Sequence, residues 1–453
     1  MAHDLWGNAI SGEAPGLAEA IDAFAGGLVA YEARAVDILS VTKRFPTHAL
    51  VQTYAGILHL LAEAKGAEEQ ARPFLLRAEA ALSTANPRER QTIAALARWI
   101  EGDIGGTIDA LQSLLADHPR DLAALKLLHY HLFNRGDFPT LLKSARASAE
   151  VAPELWPVHG MAAFGYEQLH LLDAAERAAW QGLSLMPTDP WAQHALAHVL
   201  LTQGRIDEGI AFLEGARGNW VGLNSFMLTH LWWHLALFYL SAGRTEEALA
   251  AYRQVWGVAK DYSQDQVGAV SLLTQLELAG VDVGDRWAEL AEWLSVRADD
   301  VVQPFLSVQY LYGLARAGRP EADALLAAIA ATADTKRQDS DVWRHAALPL
   351  AQGLVAHARG DFGTAADRME EALPRLIRLG GSHAQRDLFD QILLDASIRA
   401  GRLIEAQQTL EQRRAHDPDG VPLNRRLSAV YRSLGLEAEA SAADARVRDR
   451  LAR

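Results

Sequence analysis

The chain has 453 residues, half of them hydrophobic, with a formal net charge of −14 and no cysteine. Without thiols it can form no disulfide, no thiolate metal site and no cysteine nucleophile, so any metal would have to rest on His, Asp or Glu. The acidic balance and the lack of a basic run speak against nucleic acid or an anionic membrane as partner, no stretch nears the ~18 apolar residues of a membrane span, and the start Met1-Ala-His-Asp-Leu-Trp-Gly-Asn8 is no secretory signal, so a cytoplasmic protein is expected.

Alanine and leucine dominate throughout, and apolar residues recur at three- and four-residue spacing, as in Ile93-Ala-Ala-Leu-Ala-Arg-Trp-Ile100. That period predicts an all-α chain. Residues 1–87 read as irregular helices forming an N-terminal cap. From residue 88 to 223 a fixed punctuation sets in: Pro119, Pro153 and Pro187 are 34 residues apart at each step, as are the places held by Gly102, Gly136, His170 and Gly204. Thirty-four is the tetratricopeptide period, in which the glycine ends the first helix of each pair in a left-handed conformation and the proline closes the second helix. Small residues follow the punctuation five positions later, at Thr107, Ala175 and Gly209, where two helices must approach closely.

The clock then slips, with Gly243 lying 39 residues beyond Gly204, which predicts an insertion near Gly222–Leu228. Residues 224–345 read as degenerate repeats, with Asp282–Asp300 and Thr332–Asp341 as longer connections and Asp299, Asp300, Asp339 and Asp341 as solvated loop residues. Residues 346–453 return to helical pairs, Gly401 and Gly435 again being 34 apart. The expectation is one tetratricopeptide-repeat right-handed superhelix, an alpha-solenoid of about eleven helical pairs over 1–453, with closure around a central pocket left open.

In such an array, positions 2, 5, 9, 12 and 13 of each first helix line the concave groove. Repeat 190–223 places Trp191, His194 and His198 there, and the next repeat places His230 and Trp233 there with His234 beside them. The preceding repeat supplies Phe164 and the carboxylate of Glu167. His pairs at i,i+4 put two imidazoles one turn apart on a helix face, the spacing of a metal-ligand pair. His194, His198, His230 and His234 could therefore hold a divalent ion, or act as general acid and base near neutral pH. Buried histidines also hydrogen-bond across helix interfaces with no further role, and that alternative stays open. His129 and His131 read as core, and Trp232-Trp233 as an aromatic helix interface. Gly380-Gly-Ser-His-Ala-Gln-Arg-Asp387 reads as a turn and N-cap, or as a polar segment whose Arg386 and Asp387 reach the histidine wall, Arg386 holding a carboxylate and Asp387 orienting an imidazole.

Three blocks, Trp191-Ala-Gln-His-Ala-Leu-Ala-His198, Met227-Leu-Thr-His-Leu-Trp-Trp-His-Leu-Ala-Leu-Phe238 and Gly380-Gly-Ser-His-Ala-Gln-Arg-Asp-Leu-Phe389, resemble the tetratricopeptide repeat protein 38 family of bacteria and animals. The resemblance covers about residues 100 to 400. It implies the fold and a set of recurring residues rather than a reaction: His194, His198, His230, His234, Gln385, Arg386 and Asp387. His383 differs among the animal relatives and carries less weight.

Two functions follow. In one, bulky groove residues make a pocket for a small molecule, with His194, His198, His230, His234, Arg386 and Asp387 as tentative catalytic groups of a hydrolase or lyase. Trp191, Trp233, Glu167, Phe164, Gln385 and His383 would then contact the ligand. No cofactor is expected, a divalent metal on the four histidines being the lesser alternative. In the other, the chain is a non-catalytic scaffold holding a peptide in its groove. Lys126 and Asn134 sit at positions 5 and 13 of one repeat, as a carboxylate clamp would need, but Tyr130 fills position 9 between them. No glycine-rich phosphate loop, nucleophile elbow or HExxH motif is present.

Overall fold

The structure, a computed structural model, describes residues 2–453. Among the described residues the chain is α-helical, with only two isolated β-bridges, His3 to Ala9 and Glu32 to Leu223. The helices run as successive pairs of the tetratricopeptide type. Four regular pairs are Pro87–Ile100 with Ile104–Asp117, Leu122–Arg135 with Phe138–Val151, Trp156–Gln168 with Leu172–Leu185, and Pro190–Thr202 with Ile206–Ala216. The second helices of these pairs begin at Ile104, Phe138, Leu172 and Ile206, each 34 residues after the last.

Local chemistry sets those boundaries. Gly102, Gly136 and Gly204 take φ of 73°, 69° and 66°, the left-handed turn that glycine adopts without a Cβ penalty. His170, at the same place in its repeat, is forced to φ 56°. Asp103, Asp121 and Asp137 each accept the N–H three residues on, from Gly106, Ala124 and Thr140, at 3.0, 2.9 and 3.1 Å. These caps satisfy donors that an isolated helix start leaves open. Gly209 is small because the Phe238 ring packs there; a Cβ would lie 2.1 Å from a ring carbon.

The 39-residue step is a clasp. Trp220, 2 % exposed, donates its indole N–H to Gln193 Oε1 at 3.0 Å. The carbonyl of Gly222 accepts from Ala33 N at 2.9 Å, and Asn224 N donates to the Tyr31 carbonyl at 2.6 Å. Ser225–Ala242 then forms a helix of 18 residues. Asp282–Asp300, expected as a connection, contains the helix Arg286–Leu294 and a 3-10 turn Ser295–Arg297. Asp300 is not solvated as expected: it is 3 % exposed and pairs with Arg297 at 2.9 Å. Asp339 accepts the Trp343 indole N–H at 2.8 Å, and Trp343–Ala347 forms a wide, π-type turn.

The chain gathers into two compact units, Met1–Leu196 with Asn219–Met227, and Ala197–Gly218 with Leu228–Arg453. In the first, the N-terminal segment is folded onto the repeats: Trp6 packs with Val29, Leu122, Leu125, Val158 and Met161, and the buried Arg88 guanidinium bridges Asp4 and Asp121 at 3.4 and 2.9 Å. In the second, the last helical pair, Val421–Ser433 and Glu437–Leu451, returns to the turns of much earlier repeats. Arg450 makes two bonds to Asp207 at 2.7 and 2.6 Å, Ser241 Oγ donates to Asp417 at 2.5 Å, and Arg426 donates to the Leu278 carbonyl at 3.0 Å. No helix is long and apolar enough to cross a membrane among the described residues.

Candidate functional site

The second unit brings four histidines together. His198 lies on the helix Pro190–Thr202, His230 and His234 lie one turn apart on Ser225–Ala242, and His383 opens the helix His383–Arg399. The rings of His198 and His234 are 4.5 Å apart, those of His230 and His234 4.7 Å, and those of His198 and His383 5.4 Å. Nε2 of His230 and Nε2 of His234 face each other at 3.2 Å, and one ring nitrogen from each of His198, His230 and His234 lies within 4.8 Å of the others. His198 and His234 are fully buried. Burial, then the neighbouring His198, pushes His230 down to about 3, so its ring is neutral at physiological pH. Trp233 fixes this wall: its ring stacks on His230 at 5.2 Å, and its N–H donates to Ser271 Oγ at 3.2 Å.

An Nε2 to Nε2 contact needs one nitrogen protonated and the other bare when no ion is present. The same spacing suits an ion, since two nitrogens ~2.0–2.1 Å from one zinc stand roughly 3.3 Å apart at the tetrahedral angle. The donor set, buried imidazoles from two helices, fits a borderline transition ion such as zinc rather than calcium or magnesium, which prefer oxygen.

The segment before His383 is a cap and turn. Ser382 Oγ accepts from Gln385 N at 3.2 Å while Gln385 Oε1 accepts from Ser382 N at 2.9 Å, a capping box that occupies the amide expected to touch a ligand. The Arg386 guanidinium donates to the Gly380 and Gly381 carbonyls of its own turn. Asp387 does not orient an imidazole by hydrogen bond. Arg413 holds its two oxygens at 2.7 and 2.9 Å, and although burial pulls the carboxyl up, that guanidinium brings it net below its ordinary range. His383, given less weight in the sequence, is the group from this segment that meets the histidine wall.

Sequence reasoning missed Asp390, Arg413 and Arg426. Asp390 follows His383 and Asp387 on one face of their helix, a periodicity that was available to be read. Burial and then Asp387 push it up to about 6. Arg426 donates to Gln391 at 2.9 Å, and Gln391 to Asp387 at 3.3 Å, so these groups form one charged network beside His383.

In the first unit, Trp191, His194 and Phe164 form a stack, with Trp191 to His194 at 4.6 Å, Phe164 to Trp191 at 4.8 Å and Phe164 to His194 at 5.5 Å. Glu167 is fully buried and accepts from Gln168 Nε2 at 2.6 Å. Tyr31, which the sequence did not place here, and Lys126, read there as a groove position, join Trp191: Tyr31 stacks on it at 5.1 Å, and Lys126 Nζ lies 4.1 Å from its ring centre. His129 and His131 are buried, as the core reading expects, with His129 Nε2 3.0 Å from Ser144 Oγ.

No family model matches the chain. Among solved structures, it is similar to a human IFIT1 dimer with PPP-AAAA at 14 % identity over 91 % of this chain and 94 % of that one, TM-score 0.42. It is similar to the human IFIT1 dimer with m7Gppp-AAAA at 14 % identity over 96 % and 99 %, TM-score 0.43. A Naa15/Naa10 complex bound to HypK-THB matches at 14 % identity over 94 % and 67 %, TM-score 0.25. Likenesses this distant leave the RNA ligands of IFIT1 as properties of IFIT1.

Proposed function

We propose that this chain is a helical-repeat protein that binds a small molecule at the histidine centre of its second unit, and that His198, His230 and His234 hold a divalent transition ion there. The observation that carries this reading is three buried imidazoles whose nitrogens lie within 4.8 Å of one another, two of them 3.2 Å apart. A histidine kept neutral by burial is a better ligand than proton donor, which favours metal binding over acid–base work by His230. An ion with an open position can acidify a bound water, so hydrolysis is the reaction class that suits this centre. Asp387 with Arg413, 32 % and 29 % exposed, would offer a charged surface to a polar ligand near His383. The peptide-scaffold reading loses ground because the groove positions that would touch a peptide hold buried side chains, His194 at 2 % and His198 at 0 %. The resemblance of the three histidine- and arginine-bearing blocks supports a place in the tetratricopeptide repeat protein 38 family.

The test is elemental analysis of the purified full chain, with a thermal-shift series in Zn²⁺, Co²⁺, Mn²⁺ and Fe²⁺. We expect about one ion per chain in the wild type and less than a tenth of that in His198→Ala and His234→Ala, both still folded by circular dichroism. A wild type without stoichiometric metal and without a shift in any ion would sink the metal centre. A metabolite that shifts wild type but not His198→Ala would then keep the pocket alone.

A further inference from the structure

Lys126 is one of only six lysines in the chain. Lys43, Lys65, Lys143 and Lys336 are exposed, and Lys260 is half-buried in an ion pair with Glu289. Lys126 alone is buried, 7 % exposed, on the helix Leu122–Arg135. Its Nζ lies 3.8 Å from the ring centre of Tyr31 and 4.1 Å from that of Trp191. Among the described residues it makes no ion pair and no hydrogen bond.

The surroundings are built to hold that geometry. Tyr31 sits at φ 56°, a conformation that costs a non-glycine residue about 1 kcal/mol or more, and the clasp at Asn224 fixes its carbonyl at 2.6 Å. Phe226 packs on the outer side of its ring at 5.7 Å, and Phe164 and His194 back the Trp191 ring. Asp189 caps the next helix, its Oδ1 accepting from Trp191 N at 2.9 Å, while its Oδ2 is buried without a hydrogen-bond partner. The buried indole N–H of Trp191 is likewise without one.

A buried amine without an ion pair is desolvated, and desolvation is what raises the share of a lysine that is free to act as a nucleophile. Burial drives the Lys126 amine well below its ordinary range, with Asp189 only partly opposing, and burial pushes Asp189 up to about 7 against its backbone bonds and Lys126. The other titratable groups facing the amine are Tyr31, His194 and His129; His129 is neutral at physiological pH, burial and then Lys126 pushing it to about 3.

We propose that Lys126 is a nucleophilic amine that condenses with a small aldehyde or ketone whose flat, apolar body lies against the Tyr31 and Trp191 rings. The Nζ lone pair forms the N–C bond as the carbonyl oxygen takes a proton, and the nitrogen gives one up to water. The carbinolamine then loses its hydroxyl with a second proton as water while C=N forms. Amine and carbonyl become imine and water, with no change of oxidation state. This site lies wholly in the first unit and does not depend on the metal reading of the second.

The experiment traps that imine. The full-length protein is incubated at pH 6 with benzaldehyde and sodium cyanoborohydride, which delivers the hydride that fixes the imine as a secondary amine, and each lysine is followed by peptide mapping. At that pH an ordinary lysine is almost wholly protonated. Lys126 is expected to be modified at least tenfold faster than Lys43, Lys65, Lys143 or Lys336, to a limit of one adduct per chain, and Lys126→Met to remove that fast phase. Because the comparison among lysines is made within the wild type, it stands even if the variant misfolds. Exposed lysines modified first, or Lys126 modified no faster than they are, would overturn the proposal.

Discussion

Asp390 shows how the charged network beside His383 costs the fold stability. Its carboxyl is pushed up to about 6, first by burial and then by Asp387. A carboxyl raised above its unfolded value of ~4 contributes stability that is complete below pH ~4 and lost as pH rises through 6. Asp390→Asn should therefore match wild type in urea unfolding at pH 4 and exceed it at pH 7.5 by about 1–2 kcal/mol, the figure discounted for the residue's partial exposure. A variant weaker than wild type at pH 7.5 would mean that the carboxylate makes an attractive contact there. The site was legible in the sequence where it depends on helix periodicity alone: spacing puts His230 and His234 on one face, and the structure has them there. It was not legible where distant segments meet. His383 reaches His198 and Tyr31 reaches Lys126 through chain returns that no local spacing encodes.

At the scale of an element, Gly102 and Gly204 hold the same turn of the repeat and share the same left-handed angle, yet they differ in what surrounds them. Nothing lies within 4 Å of a Cβ added at Gly102, whereas one at Gly204 would lie 2.1 Å from the His416 carbonyl oxygen. Gly102→Ala should cost about 1 kcal/mol, from the backbone angle alone. Gly204→Ala should cost about 2–4 kcal/mol, because the turn before Val421–Ser433 must also give way. Denaturant midpoints of the two variants check this, and equal losses would mean that the His416 turn does not pack on Gly204. Both glycines were readable from the 34-residue clock, since the helix stop is a local demand. The packing that separates them was not, nor was the pairing of Gly222 and Asn224 with Tyr31 and Ala33, since a period reports only neighbours. The helix Arg286–Leu294 was missed for a related reason: it is a short second helix whose repeat had lost its punctuation.

For the whole molecule, opposed groups reduce the dependence of stability on pH near neutrality without cancelling it. Burial pushes His129, His131 and, in the ion-free protein, His230 down to about 3, so at pH 5 each takes up a proton on unfolding. Asp390, at about 6, releases one, and Asp4 and Asp417, both raised by burial, act in the same direction. Lys126, lowered by burial, and Asp189, raised by burial to about 7, act in opposite directions on unfolding. At most roughly two protons of net uptake remain, and with them a slope of no more than about 2.7 kcal/mol per pH unit. Below pH 4 the balance changes. The unfolded carboxyls become protonated, the release ends, and carboxylates held low in the native state add to the uptake of the three histidines. Those are Asp207 by its bonds to Arg450, and Asp387 and Asp395, in which Arg413 and His357 outweigh burial. Urea midpoints should thus fall from pH 7 to 5 and more steeply below pH 4. A loss between pH 7 and 5 as steep as that below pH 4 would show that His129, His131 and His230 titrate without the compensation from Asp390, Asp4 and Asp417.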